Sequence, residues 1–380
     1  MTVTRGKEHL MAHATAADAG ADPLARPAVR HSLQGLLLLA VLLAVGFPFV
    51  FTNPAVTSMA MFTLIYVGAA SAWNMFSGYT GYMALGNAVF YGSGAYFFAN
   101  ITTHLHLAGG AGLFAFVPLA GVFAGLVAAP VGWLALRTRR HTFVVITIAI
   151  FFIFQLLAYN LRTVTNGSTG MALPVPPWDA QTYNTYFYLA ALVVAVVAVA
   201  LSWFVRRSRM GLELLAIRDD EDRARGLGVK TERIKLLTFM LTGAVTGMCG
   251  AVYAYYLGSI YPPFAFEAIF DVTIALMGFL GGLGTVSGPV IGALILEPVQ
   301  QYITLRFTSG GLSLIAFGVL FLVVIRFLPE GIVPSLGARL RAQMTRRREG
   351  IGAPPSSPAG ADGQAVVSPA ASPVAGGGAR

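Results

Sequence analysis

The stretch RRSRMGLELLAIRDDEDRARGLGVKTERIK, residues 206–235, is the longest polar interruption in an otherwise apolar chain of 380 residues. It carries nine of the chain's 25 Lys and Arg residues and six of its 16 Asp and Glu residues. Long apolar runs flank it on both sides. Because ionised side chains are costly in hydrocarbon, this stretch cannot lie inside a bilayer. The pattern therefore predicts an aqueous loop between the spans of a membrane protein.

The composition of the whole chain supports the same conclusion. Hydrophobic residues make up 56% of the chain and charged residues 11%, whereas soluble domains average about 25% charged residues. The net charge of +9 could suggest nucleic acid, but the basic residues cluster between apolar runs, as membrane topology requires. The single cysteine, Cys249, excludes an internal disulfide framework. We therefore predict an all-α, polytopic transmembrane helical bundle with no nucleic-acid partner.

The apolar runs predict about ten spans, within a range of 8–10, each near the ~20 residues that cross a bilayer core. The eighth, which begins near residue 268, is marginal and could be re-entrant. On either side of a transmembrane domain at 32–334, we expect a disordered arm at 1–31 and a disordered tail at 335–380. The other predicted spans lie near residues 33–51, 55–76, 87–103, 111–136, 142–159, 186–205, 236–257, 286–305 and 312–327.

The distribution of positive charge predicts the sidedness. With ten spans both ends lie on one side, and 23 of the 25 Lys and Arg residues then fall on that side, leaving only Arg162 and Arg306 outside. Positive residues concentrate in cytoplasmic loops, so both ends and the loop 206–235 are expected to be cytoplasmic. The charge count does not fix the number of spans, since dropping a neighbouring pair leaves it unchanged.

Inside the charged loop, a run of acidic residues predicts the start of a short helix, because negative charge is favourable at a helix N-terminus. Arginines follow the acids, and glycines supply a C-terminal stop. On such a helix Asp220, Ala224 and Leu227 share one side, giving a small-residue patch amid charge that could fit a groove on a partner protein. A solvated connector that only fixes topology is the alternative. The residues of this candidate helix are Asp219, Asp220, Glu221, Asp222, Arg223, Ala224 and Gly228.

Enzyme motifs are absent from the sequence. No GxxxxGK[ST] nucleotide-binding loop and no HExxH motif occur. His104 and His106 are two residues apart, a spacing that does not place them on one helical face, so a metal site there is not favoured. We expect no catalytic residue and no cofactor bound by this chain.

Polar residues inside the predicted spans are candidates for a hydrated path, because each is costly unless it faces the bundle interior. The candidates are Asn74, Asn87, Asp271 and Glu297. Interhelical hydrogen bonding is the alternative, and it is favoured for the two asparagines and for Gln155. For Asp271 and Glu297 both explanations stay open.

Two glycine-rich stretches each join two predicted spans on the cytoplasmic side. Their small residues suit either broken helices that line a path or close helix packing. The candidate broken-helix glycines are Gly78, Gly81 and Gly86 in the first stretch and Gly281, Gly282, Gly284 and Gly288 in the second.

Four segments together resemble LivM-type permeases, the membrane subunits of branched-chain amino-acid ABC importers. This resemblance implies a bacterial inner-membrane permease that pairs with a second homologous permease, two cytoplasmic ATPases and a periplasmic solute-binding protein. The loops 161–183 and 258–267 would face that binding protein. The segments are GYTGYMALGNAVFYGSGAY (78–96), AIRDDEDRARGLGVKTERIKLLTF (216–239), MGFLGGLGTVSGP (277–289) and FLPEGI (327–332).

The resemblance also assigns a role to the charged loop. Asp222-Arg223-Ala224 followed by Gly228 lies where importer permeases carry a Glu-Ala-Ala…Gly coupling motif, although two of its three leading residues differ. ATP-driven closure of the ATPases would then be transmitted through this helix to produce alternating access. The same family includes permeases for urea, short amides and other amino acids. An ion-coupled secondary transporter that depends on Asp271 or Glu297 is the alternative from another class, and a passive channel is the third.

Overall fold

A computed structural model describes residues 39, 41–51, 53–306, 315, 318, 319, 322, 326 and 331–335. The predicted all-α class is confirmed for these residues, since a two-residue strand pair is the only sheet among them. The helices are α1 (Val41–Val50), α2 (Pro54–Trp73, continued by the π-helical turn Asn74–Gly78), α3 (Ala88–His104), α4 (Val117–Ala135, preceded by the 3-10 turn Ala111–Phe116), α5 (Arg140–Asn160), α6 (Arg162–Thr165), α7 (Ala180–Arg207), α8 (Arg209–Asp219), α9 (Glu221–Gly226), α10 (Thr231–Leu257), α11 (Pro262–Ala265), α12 (Ala268–Gly281) and α13 (Gly288–Arg306).

The lengths of these helices test the predicted spans. Among the described residues, six helical segments are long and apolar enough to cross a membrane, and each coincides with a predicted span. Helix α3 and helix α13 occupy the predicted third and ninth spans but are not among the six. The total of about ten spans and the side of the two ends therefore stay predictions. The predicted arm at 1–31, most of the tenth span and the tail from 336 lie outside the described residues. The six segments are Pro54–Gly78, Ala111–Ala135, Arg140–Asn160, Ala180–Arg207, Thr231–Leu257 and Pro262–Gly281.

Close packing of small residues forms the centre of the bundle, where α10 contacts α3 and α4. A Cβ atom placed on Gly94 would collide with the backbone of Gly247, and one on Gly250 would collide with the backbone of Tyr91. Backbones approach this closely in membrane proteins because packing, rather than water exclusion, drives association of helices. Cys249 lies fully buried in the same region, as a small packing residue. The three helices thus form a tightly packed centre.

The bundle has two distinguishable ends. One end, here called the charged end, carries the loop 206–235 and the basic turn 137–140, which line one groove together with Tyr82. The opposite end carries the loops that follow α3, α5 and α10. There β1 (Met171–Ala172) pairs antiparallel with β2 (Ser259–Ile260), and Leu173 N donates to Gly258 O at 2.9 Å. The pairing joins the loop after α5 to the loop after α10.

Candidate functional site

The charged loop folds into two helices. Asp220 caps α9, because its Oδ1 accepts hydrogen bonds of 3.1 Å from the backbone N–H groups of Asp222 and Arg223. The chain leaves the helix through Gly228, whose φ is +89°. The predicted start and stop of the short helix are confirmed. The preceding helix α8 was not predicted, although Ser208 caps it by accepting from Gly211 N and its apolar side faces the bundle.

The predicted small-residue patch on α9 is wrong in one respect. Ala224 is only 2% exposed within the chain itself, so it packs against its own bundle and is not available to a partner. Leu227, placed on the same side by helical spacing, is 86% exposed. The difference arises because the helix ends before Leu227. The exposed apolar side chain at this helix is therefore Leu227, which follows its last residue.

A buried three-residue cluster, here called the Glu221 cluster, fastens α9 to the bundle. The Lys235 ammonium donates to Glu221 Oε1 at 2.6 Å, and its side chain is 2% exposed. The Tyr82 hydroxyl donates to Glu221 Oε2. Lys235 Nζ also lies 3.3 Å from the Tyr82 hydroxyl and 4.5 Å from the centre of its ring. One carboxylate thus joins α9, the first turn of α10 and the segment that follows α2.

The electrostatics of the cluster keep Glu221 ionised. Burial favours the neutral acid, but the hydrogen bonds from Lys235 and Tyr82 and the positive charges of Lys235 and Arg225 outweigh it, so the pKa of Glu221 lies below its ordinary value. Burial and the Glu221 carboxylate both raise the pKa of Tyr82 well above its ordinary value. At neutral pH the phenol therefore stays protonated and donates to an anionic carboxylate.

Helix α8 is fastened by two arginines. Arg218 Nη1 donates to Gly78 O at 2.8 Å, at the end of the π-helical turn. Arg140 Nη2 donates to Ile217 O at 2.9 Å and to Arg218 O at 2.6 Å. These last carbonyls of α8 are otherwise short of partners, and a cation is favourable at a helix C-terminus. The two arginines hold α8 against the ends of α2 and α5.

The first glycine-rich stretch breaks the helix as predicted. After Gly81, whose φ is +73°, residues 81–86 are extended and run from the charged end into the bundle. Leu85 N donates to Thr147 Oγ1 at 3.3 Å; Thr147 lies seven residues along α5, about 10 Å from its start. Trp73 Nε1 donates to Ala84 O at 2.8 Å. The backbone of this extended segment is thus held by side chains of neighbouring helices.

Asp271 receives the end of the extended segment. Its Oδ1 accepts from Asn87 N at 2.7 Å and from Ala88 N at 3.3 Å, where α3 begins. Asp271 itself is 3% exposed. A buried carboxylate at the N-terminus of a helix satisfies unpaired N–H groups and opposes the positive end of the helix dipole. Asp271 therefore acts as the cap of α3, supplied by α12.

The second glycine-rich stretch meets the first through Asn74. Its Oδ1 accepts from Gly284 N at 2.9 Å, and its Nδ2 donates to Thr285 O at 2.8 Å. Asn74 opens the π-helical turn of α2, a deviation often found at functional sites. Gly284 has φ +79°, and a Cβ placed on it would collide with the Arg218 side chain and lie 3.1 Å from Gly78 O. Both breaks therefore lie beside α8, within reach of the charged loop.

The other candidate glycines lie where backbones come close. A Cβ on Gly86 would collide with the carbonyl of Thr147. A Cβ on Gly281, at the end of α12, would collide with the carbonyl of Gly288, and one on Gly288, at the start of α13, would collide with the carbonyl of Gly282. Gly282 follows the end of α12 with φ +119°. The predicted helix breaks are therefore present, while their role in lining a path stays a prediction.

The remaining candidates divide into paired and unpaired groups. Asn87 Nδ2 donates to Ala84 O at 3.1 Å within its own segment, while its Oδ1 is buried without a partner. Gln155 Nε2 donates to Phe266 O at 2.8 Å, so a hydrogen bond between segments accounts for that group. Glu297 is 4% exposed and accepts from Gln301 at one oxygen only. Within the described residues, His104 and His106 belong to no group of three or more metal-binding side chains.

A groove of about 500 Å³ lies at the charged end beside α9. Its walls are the basic turn between α4 and α5 and the acidic start of α9, so opposite charges face each other across it. Tyr82 and Lys235 of the Glu221 cluster form its floor. The lining residues are Tyr82, Leu136, Arg137, Thr138, Arg139, Arg140, His141, Asp219, Asp220, Glu221, Asp222, Arg225, Glu232 and Lys235.

Membrane-spanning helices, broken at glycine-rich turns beside buried carboxylates and tied to a charged loop, define a multi-pass membrane permease. The chain belongs to the family described as branched-chain amino acid transport system / permease component, whose model matches residues 55–325. The predicted LivM-type family is thereby confirmed.

Individual relatives agree with this assignment. The chain is 28% identical to the high-affinity branched-chain amino acid transport system permease protein LivM of Escherichia coli (strain K12) over 339 residues, 81% of this chain and 77% of the relative. It is 26% identical to LivH of Salmonella typhimurium, covering 73% of this chain and 92% of the relative. A shorter match, 30% identical over 29% of this chain, is to the autoinducer 2 import system permease protein LsrC of Salmonella paratyphi B. No solved structure matches the chain.

Proposed function

We propose that this chain is one membrane subunit of an ATP-binding-cassette importer for branched-chain amino acids in the bacterial inner membrane. The printed names of the LivM and LivH relatives support this substrate class. Partners would be a second homologous permease, two cytoplasmic ATPases and a periplasmic binding protein. The chain itself would need no cofactor, because the ATPases would bind and hydrolyse ATP.

The observation that carries this proposal is the Glu221 cluster. The cluster links a surface helix to a break inside the bundle. A displacement of α9 would be passed through Glu221 to Tyr82, and from Tyr82 along residues 81–86 to the cap of α3 at Asp271. A second route runs from α8 through Arg218 to Gly78 and Gly284. Packed elements transmit movement in steps because they have discrete arrangements. Alternating access would follow from ATPase closure acting on both routes.

The placement of the partners follows from the two ends of the bundle. Positive charge favours a cytoplasmic charged end, so both chain ends would be cytoplasmic and the ATPases would contact α9. Leu227 offers the exposed apolar group there, and the groove beside it offers charges of both signs. The opposite end, where β1 pairs with β2, would face the binding protein.

The first test is purification of the tagged chain, co-expressed with the two ATPases of its transporter, from mild detergent. Three variants are compared with wild type: a Gly/Ser replacement of residues 219–228, Leu227→Asp, and Arg162→Ala, an exposed arginine at the opposite end of the bundle, as the surface control. We expect ATPase subunits, identified by mass spectrometry, to accompany wild type and Arg162→Ala. The Gly/Ser and Leu227→Asp variants should lose them while the chain remains monodisperse.

Replacing the buried Ala224 by a larger residue tests whether α9 transmits movement to the bundle, separately from whether α9 binds the ATPases. Ala224→Leu should abolish uptake of leucine while the chain still inserts, because the added atoms have no space beneath α9. Wild-type uptake by this variant would remove the coupling role from α9. Uptake that continues without ATP and collapses with the ion gradient would overturn the importer proposal.

A further inference from the structure

The two buried carboxylates of the bundle differ in how they are satisfied. Asp271 accepts backbone hydrogen bonds at both oxygens from the start of α3. Glu297 accepts one hydrogen bond at Oε1, from Gln301 Nε2 at 3.0 Å. Its Oε2 is buried and has no partner. A buried carboxylate oxygen without a donor is costly, and such groups in native proteins call for an explanation. The sequence alone did not distinguish the two acids, whereas their hydrogen bonds show that only Asp271 is fully paired.

A second orphan acceptor lies beside the first. Gln300 Oε1 is also buried without a partner, and residues three apart on a helix are neighbours. The ion pairs found among the described residues all involve α9 or its cap, so none engages Glu297. The pair thus presents two acceptor atoms and a negative charge with no matching donor.

The surroundings of Glu297 add aromatic rings. Helix α13, which carries Glu297, packs against α2, which carries Tyr66. Glu267 is exposed where α12 begins, at the opposite end of the bundle. Phe270 packs its ring 5.7 Å from that of Tyr66. Aromatic faces, which attract cations, therefore lie on the helix that follows the exposed carboxylate and on the helix that packs against the buried one.

We propose that Glu297 and the side-chain carbonyl of Gln300 receive the ammonium group of the amino acid during translocation. This assignment rests on the proposed function. An ammonium carries three donors and one positive charge, and it would occupy both orphan acceptors while neutralising the buried carboxylate. Uncharged solutes such as urea or short amides would leave that charge uncompensated. The site therefore selects solutes that carry an ammonium.

The test uses the complete transporter in liposomes, with Glu297→Gln and Glu297→Asp. Gln is nearly isosteric and still accepts from Gln301, whereas Asp keeps the charge on a shorter side chain. Gln301→Leu is the matched control, since it removes the other hydrogen bond of Glu297 and leaves its charge. We expect Glu297→Gln to assemble normally and to lower the initial rate of leucine uptake at least about tenfold, the loss expected for hydrogen bonds to a charged group. Glu297→Asp should keep a larger share of the rate.

A direct binding measurement distinguishes recognition from a structural role. The complex of permeases and ATPases is purified in detergent without the binding protein, and millimolar leucine should raise the thermal midpoint of the wild-type complex by mass action. It should not raise that of Glu297→Gln, and 4-methylpentanoate, which is leucine without the ammonium, should raise neither. Full leucine uptake by Glu297→Gln, or equal stabilisation of both complexes by leucine, would overturn the ammonium site alone. A wild-type transporter that imports no branched-chain amino acid would overturn the proposed function and this site with it.

Discussion

Replacement of Lys235 by methionine tests how strongly the charged loop is fastened to the bundle. The ammonium of Lys235 lies 2.6 Å from Glu221 Oε1, and the two side chains are 2% and 17% exposed. Methionine keeps the length and apolar contacts of the lysine stem but removes its charge. Glu221 would then keep its hydrogen bond from Tyr82 and its more exposed partner Arg225, 3.4 Å away. A mostly buried carboxylate would lose its closest cation.

The expected cost follows from that geometry. Breaking a buried ion pair by removing one partner destabilises a protein by ~3–5 kcal/mol, because a charge is left uncompensated. Since Glu221 keeps 17% exposure and two weaker partners, we expect the lower end, about 3 kcal/mol. The double variant Glu221→Gln with Lys235→Met leaves no unpaired charge and should recover about 2 kcal/mol of that loss.

The assay is reversible unfolding in mixed detergent micelles, followed by circular dichroism, for wild type, both single variants and the double variant. Arg223→Met serves as the control, because that side chain is 85% exposed in its pair with Asp220 and surface pairs contribute little. If the double variant loses as much free energy of unfolding as the two single variants lose together, the argument that Lys235 compensates a buried charge is refuted.

The same pair sets a pH dependence. Because the pKa of Glu221 is lowered on folding, its contribution to stability is complete above the ordinary glutamate pKa of about 4.5. This contribution is lost as the pH falls through the lower pKa that Glu221 has in the folded protein. Wild type should therefore lose stability in acid more steeply than the double variant, which lacks the carboxylate.

Three further predictions concern the contacts around the helix breaks and the packed centre of the bundle. Arg218→Ala should lower leucine uptake several-fold without loss of assembly, whereas Arg209→Ala, exposed at the start of the same helix, should not; uptake in vesicles decides. Asp271→Ala should lower the thermal midpoint of the chain more than Asp271→Asn, because an amide oxygen can still accept one N–H of α3. Gly94→Val should reduce the yield of monodisperse protein, since its Cβ meets the backbone of Gly247, and Gly226→Ala, with open space around it, should leave the yield unchanged.

Local signals in the sequence predicted several features correctly. The acidic run and the glycine after it predicted both ends of α9, because capping and dipole effects act within one turn. Apolar runs predicted the six long helices, since span length depends on bilayer thickness rather than on neighbours. Helix α8 was not predicted because its charged residues are equally typical of a loop, although Ser208 supplies a cap signal.

The partners of these elements were not predictable from one sequence. Asp271 and Glu297 look alike as lone acids in apolar runs. Only the fold shows that the backbone N–H groups of residues 87 and 88, almost half the chain away, donate to Asp271. Lys235 carried a usable signal, because a charged residue at the start of a span needs a partner. The buried position of Ala224 depends on where α9 rests, which helical spacing alone does not determine.

The extended segment 81–86 also constrains how the chain is made. Its backbone groups have no helix of their own, so in hydrocarbon they depend on neighbouring groups. Those neighbours emerge late: Glu221 follows Tyr82 by 139 residues, and Asp271 follows Asn87 by 184. During synthesis at the membrane, the turn after α2 therefore waits in an unfinished state while most of the protein is still untranslated. It reaches its final position only when α12 arrives, so this break is completed long after its own residues have been made.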